Sequence, residues 1–567
     1  MLNQPWLKTY HEKVRAHVIE KESLVTLFDR AVKNWPDRPA LIFKDEILTF
    51  SQMKDQVDRL ATALQALGAT QKTRVGLWMP NLPQMVIAYF AVLRLGGHLV
   101  PINPMYVERE LEFQVNDANV SIMVTMDYLY AYRLKAMLHK TGIKHVITTS
   151  IPAAMPEPMR ELAKTELEKT KQYVALPKEP HVHDFFLLIE QYTPMKEAAK
   201  VLLDDLAMLQ YTGGTTGIPK GAMLTHGNIS ANAQQMIAAF PTYQPGAEVC
   251  MACLPWFHIF GMTVGMTWPI IIGATLVAIS DPRNIKEIVT NIEKYRISIL
   301  PAVPTHFLGI SEYPDIDNID FSTLRVCFSG SAPLPERVLR NFEKYTGSRI
   351  LEGFGLTEAS PVTHINPELG TRKPNTIGLP LTHTEVKIVD LETGAIELSP
   401  GQEGELCIRG PQVMKGYWQA PEATAQTLRD GWLYTGDIAS MDEEGYFTVA
   451  GRKKDLIIAS GYNVYPDEVD RVLIEHPAVL EVITIGIPDE RRGETVKSFV
   501  VLKPGKTLTA EELTAFARQN LAPYKVPRYI EFLKELPRSA VAKVLRRTIR
   551  EREATASETN TTPAPVA

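Results

Sequence analysis

Over the first two thirds of the chain, short runs of β-branched and other apolar residues alternate with stretches whose apolar positions recur at helical spacing. Residues 74–79 are followed by 82–95, residues 120–125 by 128–141, and 146–149 closes the series. A period of two giving way to a period of 3.6 and back again is the pattern of βαβ units, and it predicts parallel sheets covered by helices. The fold class is therefore α/β. Residues 151–200 are richer in Pro, Glu and Lys, have weak periodicity and read as a peripheral excursion over the surface. After Gly404 the texture changes to shorter strands and turns, at 404–409 and 445–450, ending in the charged cluster Gly451-Arg452-Lys453-Lys454-Asp455. Beyond it, 466–474, 480–487, 495–501 and 509–519 predict helix, strand, strand and helix, a compact α+β unit. The expected organisation is a large N-terminal domain of helix-covered β-sheets over 1–451, a small α+β C-terminal lid domain over 452–552 joined by a hinge, and a disordered tail over 553–567, which is rich in Thr, Ala, Pro and Ser.

Composition changes this picture little. The chain has 567 residues, 45% apolar and 22% charged, which fits a multidomain globular protein and excludes a disordered one. A net charge of -5 gives no field favouring nucleic acid. The charge is uneven, however. From Lys525 to Arg552 nine Lys and Arg stand against three Glu, and such a stretch is either a solvated face or an attractor for nucleotide phosphates or an anionic membrane. Four cysteines cannot frame a disulfide scaffold, and no apolar segment with a cleavage site opens the chain, so the expected location is cytoplasmic. Cys250 and Cys253, three apart along an expected strand, point to opposite faces and read as buried thiols rather than a metal pair. Residues 249–280 carry no charge and are long enough to span a bilayer. Pro255, His258, Gly261, Gly265, Pro269 and Gly273 instead make them a loop, a buried helix and a buried strand in series.

Candidate chemistry concentrates in Tyr211-Thr212-Gly213-Gly214-Thr215-Thr216-Gly217-Ile218-Pro219-Lys220-Gly221. Glycines let a backbone approach a polyanion, hydroxyl and amide groups donate to phosphate oxygens, and lysine adds a mobile positive charge. The segment reads as a phosphate cradle. It is not the mononucleotide P-loop, because Pro219 precedes Lys220 and Gly221 follows it where Gly-Lys-Ser/Thr is required.

Together with Gly353-Phe354-Gly355-Leu356-Thr357-Glu358, Tyr434-Thr435-Gly436-Asp437, Gly451-Arg452-Lys453-Lys454-Asp455 and a late Lys543, in that order, the loop resembles the adenylate-forming superfamily of acyl-CoA synthetases, peptide-synthetase adenylation domains and luciferases. The resemblance covers about residues 20 to 550. It is nearer to bacterial long-chain fatty-acid CoA ligases, on Asp430-Gly431-Trp432-Leu433-Tyr434-Thr435-Gly436-Asp437, on Gly410-Pro411-Gln412-Val413-Met414-Lys415-Gly416-Tyr417-Trp418 and on Leu521-Ala522-Pro523-Tyr524-Lys525-Val526-Pro527.

The resemblance implies ATP, Mg2+ and coenzyme A as cofactor and co-substrates, and a fatty acid as the group activated. It implies Glu358 as the magnesium-binding carboxylate, Thr357 as an α-phosphate contact and Asp437 as the acceptor of the ribose hydroxyls, with Arg452 adding a donor. Gly330-Ser331-Ala332 and Glu352-Gly353-Phe354 resemble the segments that sandwich adenine, and Pro255-Trp256-Phe257-His258 the aromatic-histidine element where the substrate carboxylate enters. Gly261 and Gly265 at helical spacing suggest a channel for an alkyl chain, each buried CH2 being worth about 0.8 kcal/mol. Lys543 resembles the lysine that reaches the carboxylate and α-phosphate during adenylation, Lys454 the hinge residue, and Gly461 a residue lining the pantetheine path. Two positions depart from the pattern: Ala542 stands where glycine usually precedes the lysine, and Gly451 where aspartate often precedes the hinge arginine. The alternatives carried are an aryl- or medium-chain acyl-CoA ligase, an amino-acid adenylating enzyme, which the absence of a carrier module after residue 552 disfavours, and a weakly catalytic acyl or nucleotide binding protein. A homodimer and a transient contact with an anionic membrane stay open.

Overall fold

The computed structural model describes residues 4–212, 219–459, 462–489, 492–538 and 546–558. One of its most deeply buried helices is Pro83–Leu95. Proline opens it, where no intrahelical amide is needed, and Gly96 closes it in the left-handed conformation at φ 76°. Every residue after Pro83 in that helix is buried, which explains a run apolar all round. Phe28 of helix Leu24–Asn34 stacks on Phe90 at 4.1 Å between ring centres.

Among the described residues there are four sheets. One runs, from edge to edge, Val182–Asp184, His145–Thr149, Ile122–Met126, Arg74–Trp78, His98–Pro101, Leu206–Thr212 and Lys220–Thr225; it is parallel apart from its last pair. A second, of nine strands, has the parallel centre Ile350–Gly355, Val326–Ser329, Ile299–Ala302, Val249–Ala252, Thr275–Ala278 and Pro39–Phe43, with antiparallel strands at both edges. One continuous core joins the two sheets, and a second core covers the far face of the nine-stranded one under helices Ile285–Lys294, Pro304–Ser311 and Glu336–Thr346. Cys250 belongs to the first core and Cys253 to the second, so the two thiols do face opposite ways. A third, antiparallel sheet contains Glu385–Val389, Gly404–Arg409 and Trp432–Met441, and Phe447–Arg452 is its last strand. The chain's beginning is fastened there: Trp6 is buried 5.8 Å from the Phe447 ring, and Gly445 at φ 87° leaves no room for a Cβ against the Trp6 backbone.

The next strand, Ile457–Ala459, belongs to a different sheet, with Tyr462–Val464, Val479–Asp489, Gly493–Leu502 and Tyr529–Leu533. Helices Pro466–Leu473 and Ala510–Asn520 complete a small α+β domain with cores of its own.

Three expectations change. The helix expected over 128–141 is broken into Asp127–Leu129, a π-helical turn Tyr130–Leu134, Lys135–Met137 and a 3-10 turn. Its side chains are bonded sideways: the Tyr130 hydroxyl donates to Glu179 at 3.0 Å and Arg133 to the Tyr106 carbonyl at 2.8 Å. The excursion 151–200 is only partly peripheral. Helix Met159–Lys169 buries nothing, but Val182–Asp184 extends the first sheet and helix Phe185–Glu190 buries Phe185, Leu188 and Ile189; elements of three and six residues are too short to show a period. Finally, the expected tail is helical to Glu558, because Glu553 accepts from the buried Lys497 at 2.6 Å. The basic excess of the C-terminal region is largely paired within the domain: Lys525 to Glu468, Arg528 to Asp489, Arg538 to Glu481, Arg546 to Asp467, Arg550 to Asp455 and Arg552 to Glu531. No helix among the described residues is long and apolar enough to cross a membrane.

Candidate active site

Strands Leu206–Thr212 and Lys220–Thr225 form an antiparallel hairpin in which Thr212 lies directly opposite Lys220. The candidates between them, Gly213, Gly214, Thr215, Thr216 and Gly217, lie outside the described residues, as do Gly461, Ala542 and Lys543. The strand ends that flank the loop are closely packed. Gly221 sits where a Cβ would come 3.2 Å from the Tyr211 ring, and the Tyr211 hydroxyl donates to Asp117. Trp418 pairs with the hairpin through its amide, which donates to Gly221 O at 2.8 Å. Its indole donates to Asp117 O at 3.0 Å under the Arg74 guanidinium, 4.7 Å from its ring.

Thr357 and Glu358 lie on one 3-10 turn, Thr357–Ala359, that follows strand Ile350–Gly355. The turn is held from outside: Met414 N donates to Glu358 O at 2.8 Å. The Tyr417 hydroxyl donates to Glu358 Oε1 at 2.6 Å, and Lys220 Nζ stands 5.4 Å from the centre of the same ring. Burial, then the neighbouring Glu358 charge, pushes the Tyr417 phenol far above its ordinary range, so it stays a donor. The structure therefore joins Lys220 and Glu358 through Tyr417, a residue the sequence displayed in a motif without a role. Behind it lies a buried amide lattice that sequence reasoning missed. Gln235 donates to Thr382 O at 2.7 Å and to Gln412 Oε1 at 3.2 Å, Gln412 donates to Thr384 at 2.7 Å, and Asn232 donates to Val362 O at 2.8 Å. The only signal was the helical spacing of Asn228, Asn232 and Gln235.

His258 caps helix Ile259–Met262, its Nδ1 accepting from Phe260 N at 3.3 Å. The element before it is pinned: Trp256 N donates to Asn81 Oδ1 at 2.8 Å, and Gln210, on the first strand of the hairpin, donates to Phe257 O at 2.9 Å. The channel expected at Gly261 is corrected, because a Cβ there would lie 2.2 Å from Pro255 O; this glycine allows a close backbone approach instead. At Gly265 a Cβ would have ordinary contacts of 3.9 Å to Leu254 and Trp256, so the missing volume lies there.

Gly330 touches this element, since its Cβ would come 3.1 Å from the Phe260 ring. Ser331, at φ 71°, and Ala332 are exposed beside it. Gly353 pairs with Ile365 and Phe354 with His364 across the strand edge. Glu352 Oε1 accepts from Leu334 N at 3.3 Å; burial raises its carboxyl to about 7, opposed by that hydrogen bond and by the Arg471 charge from the small domain.

Asp437 and Arg452 face each other across adjacent strands, and Arg452 Nε lies 2.6 Å from the buried Asp437 Oδ1. The Arg452 charge is also felt at Tyr417, which links the ribose candidates to the Glu358 turn. Lys453 Nζ donates to Glu405 at 3.0 Å, Lys454 is exposed, and Asp455 is buried against the small domain's Arg550 at 2.7 Å. At Gly451 a Cβ would stand 3.6 Å from Asp467 Oδ2, so an aspartate there would set two carboxylates side by side.

A family model described as AMP-binding enzyme matches residues 28–418, and one described as AMP-binding enzyme C-terminal domain matches 468–543. A long-chain-fatty-acid–CoA ligase of Bacillus subtilis (strain 168) is 42% identical, covering 97% of this chain and 98% of its own length. One from Escherichia coli O157:H7 is 40% identical over the same shares. Among solved structures, the anthranilate CoA ligase AuaEII in complex with anthranoyl-AMP superposes with a TM-score of 0.85 at 26% identity, covering 95% of this chain and 98% of that one. The first matched segment holds the hairpin and the Glu358 turn and the second most of the small domain, and on that ground the chain belongs to the family of AMP-binding enzymes.

Proposed function

We propose that the chain is an ATP-dependent, AMP-forming long-chain fatty-acid CoA ligase. The carrying observation is the Lys220, Tyr417 and Glu358 group at the root of the hairpin, a cation and an oriented carboxylate where a polyphosphate would meet an acid. In the first half-reaction a fatty carboxylate oxygen forms a bond to the α-phosphorus of ATP and the bond to pyrophosphate breaks. In the second, the coenzyme A sulfur, having lost its proton, attacks the acyl carbonyl and AMP leaves. Two anions must approach in the first step, so cations govern its rate. Glu358 offers a hard carboxylate oxygen beside the Thr357 hydroxyl, a donor set that suits Mg2+, which would neutralise phosphate charge there. Asp437 accepts from the ribose hydroxyls while Arg452 holds it in place, and Gly330, Ser331, Ala332, Glu352, Gly353 and Phe354 receive adenine. His258 stands where the carboxylate enters, and the acyl chain runs past Gly265. Lys543 reaches the α-phosphate from the lid over 452–552, the lid turns about Lys454, and Gly461 then lines the pantetheine path.

The test is coenzyme-A-dependent AMP release with palmitate, p-coumarate and amino acids in parallel. Turnover with palmitate at least about tenfold above the others is expected. Preference for coumarate or an amino acid would overturn the long-chain reading.

A further inference from the structure

The described residues on either side of 539–545, the stretch that contains Lys543, are fastened inside the small domain. Before it, Arg538 pairs with Glu481. After it, Arg546 opens helix Arg546–Glu558 with its guanidinium largely enclosed. Arg546 Nη2 bonds to Asp467 at 2.6 Å and Asp470 at 2.7 Å, both on helix Pro466–Leu473, and its Nε donates to Thr484 O at 2.9 Å. Its remaining nitrogen lies 3.5 Å from Asp455 Oδ2, and Arg550, one turn further on, donates to the other Asp455 oxygen at 2.7 Å. Asp455 closes the hinge cluster. On the other side of Lys454, Arg452 is bound to Asp437 and Lys453 to Glu405, both in the large domain. Ion pairs thus grip the chain from opposite domains on the two sides of one residue.

We infer that Arg546 is a positioning residue for adenylate formation. It ties hinge residue Asp455 and helix Pro466–Leu473 to the start of the helix that follows Lys543, so that helix start is fixed relative to the hinge. The guanidinium suits this because its donors are fixed in a plane and each is met by a different acceptor, which sets direction as well as attraction. Three residues of chain span at most about 11 Å, so the anchor at Arg546 fixes the origin from which Lys543 reaches. The inference rests on the role given to Lys543 above.

The test measures both half-reactions of the full-length enzyme: ATP–pyrophosphate exchange with palmitate, and thioester formation from supplied palmitoyl-adenylate and coenzyme A. Arg546→Lys keeps the charge and removes the fork; exchange is expected to fall about tenfold or more, with thioester formation within about threefold of the parent. Equal loss in both, or undiminished exchange, overturns the assignment. Where the melting temperature of Arg546→Lys drops, Asp455→Asn decides by the same ratio, because it releases the hinge end of the knot and leaves Arg546 on Asp467 and Asp470. Lys543→Ala is the reference. If it lowers exchange selectively and the Arg546 and Asp455 variants do not, positioning fails alone; if it lowers both half-reactions alike, the reading of Lys543 fails and this inference with it.

Discussion

The Glu358 carboxylate, proposed above to face a polyphosphate, is held by a phenol. Tyr417 occupies one oxygen of Glu358 at 2.6 Å and presents its ring face to Lys220, so one side chain aligns an acid and a cation of opposite charge. Tyr417→Phe keeps the ring and removes the donor. A hydrogen bond to a charged group is worth about 1.5–3 kcal/mol, so ATP–pyrophosphate exchange is expected to fall about ten- to hundredfold. Thioester formation from supplied adenylate should be unchanged, and a uniform loss would refute the role. Glu352 makes a second prediction. Its carboxyl is raised to about 7 by burial, against an ordinary value near 4.5, so the stability it contributes is complete below about 4.5 and is lost as pH rises through 7. Glu352→Gln, which can still accept from Leu334 N, should therefore melt with the parent at pH 4.5 and above it at pH 8; the gap is at most about 3 kcal/mol. A parent whose stability relative to Glu352→Gln is the same at both pH values would contradict this.

At the scale of elements, the run from Val249 to Ser280 shows what a pattern can and cannot reveal. Its lack of charge announced burial, and its prolines and glycines announced interruptions; the chain obeys with strand Val249–Ala252, helix Ile259–Met262, a π-helical turn Thr263–Thr267, helix Trp268–Ile271 and strand Thr275–Ala278. The work of each glycine was not legible. Gly261 is needed because the chain doubles back to put the Pro255 carbonyl against its Cα, whereas Gly265 faces available volume. Gly261→Ala should then cost about 1–3 kcal/mol and shift His258, whereas Gly265→Ala leaves the melting temperature unchanged or higher and narrows the acyl path proposed to run past it. Thermal melts and chain-length profiles of both variants check this, and equal destabilisation would overturn the distinction. Similarly, the reading of the Gly/Thr loop as a phosphate cradle came from residue type alone. That Thr212 and Lys220 stand opposite each other on a hairpin required the strand pairing.

At the scale of the molecule, the two matched segments lie on either side of the cluster from Arg452 to Asp455, and the proposed reaction draws on residues from both sides of it. Lys543→Ala should lower exchange by about a hundredfold or more and spare thioester formation from supplied adenylate, as the role proposed for it requires. Loss of both steps would remove the division of labour.

The α/β class, the change of texture after Gly404, the order of the chemical motifs and the family they resemble all follow from local periodicity and residue type, which the chain displays along its length. The broken helix over 127–140, the anchoring of Trp6 on the third sheet, the Tyr417 to Glu358 bond and the Arg550 to Asp455 bond were decided only by the tertiary structure. Those last two join residues 59 and 95 positions apart. Such contacts exist only once sheet register and domain packing have fixed which distant side chains meet, and that information is shared among strands rather than held by any one segment.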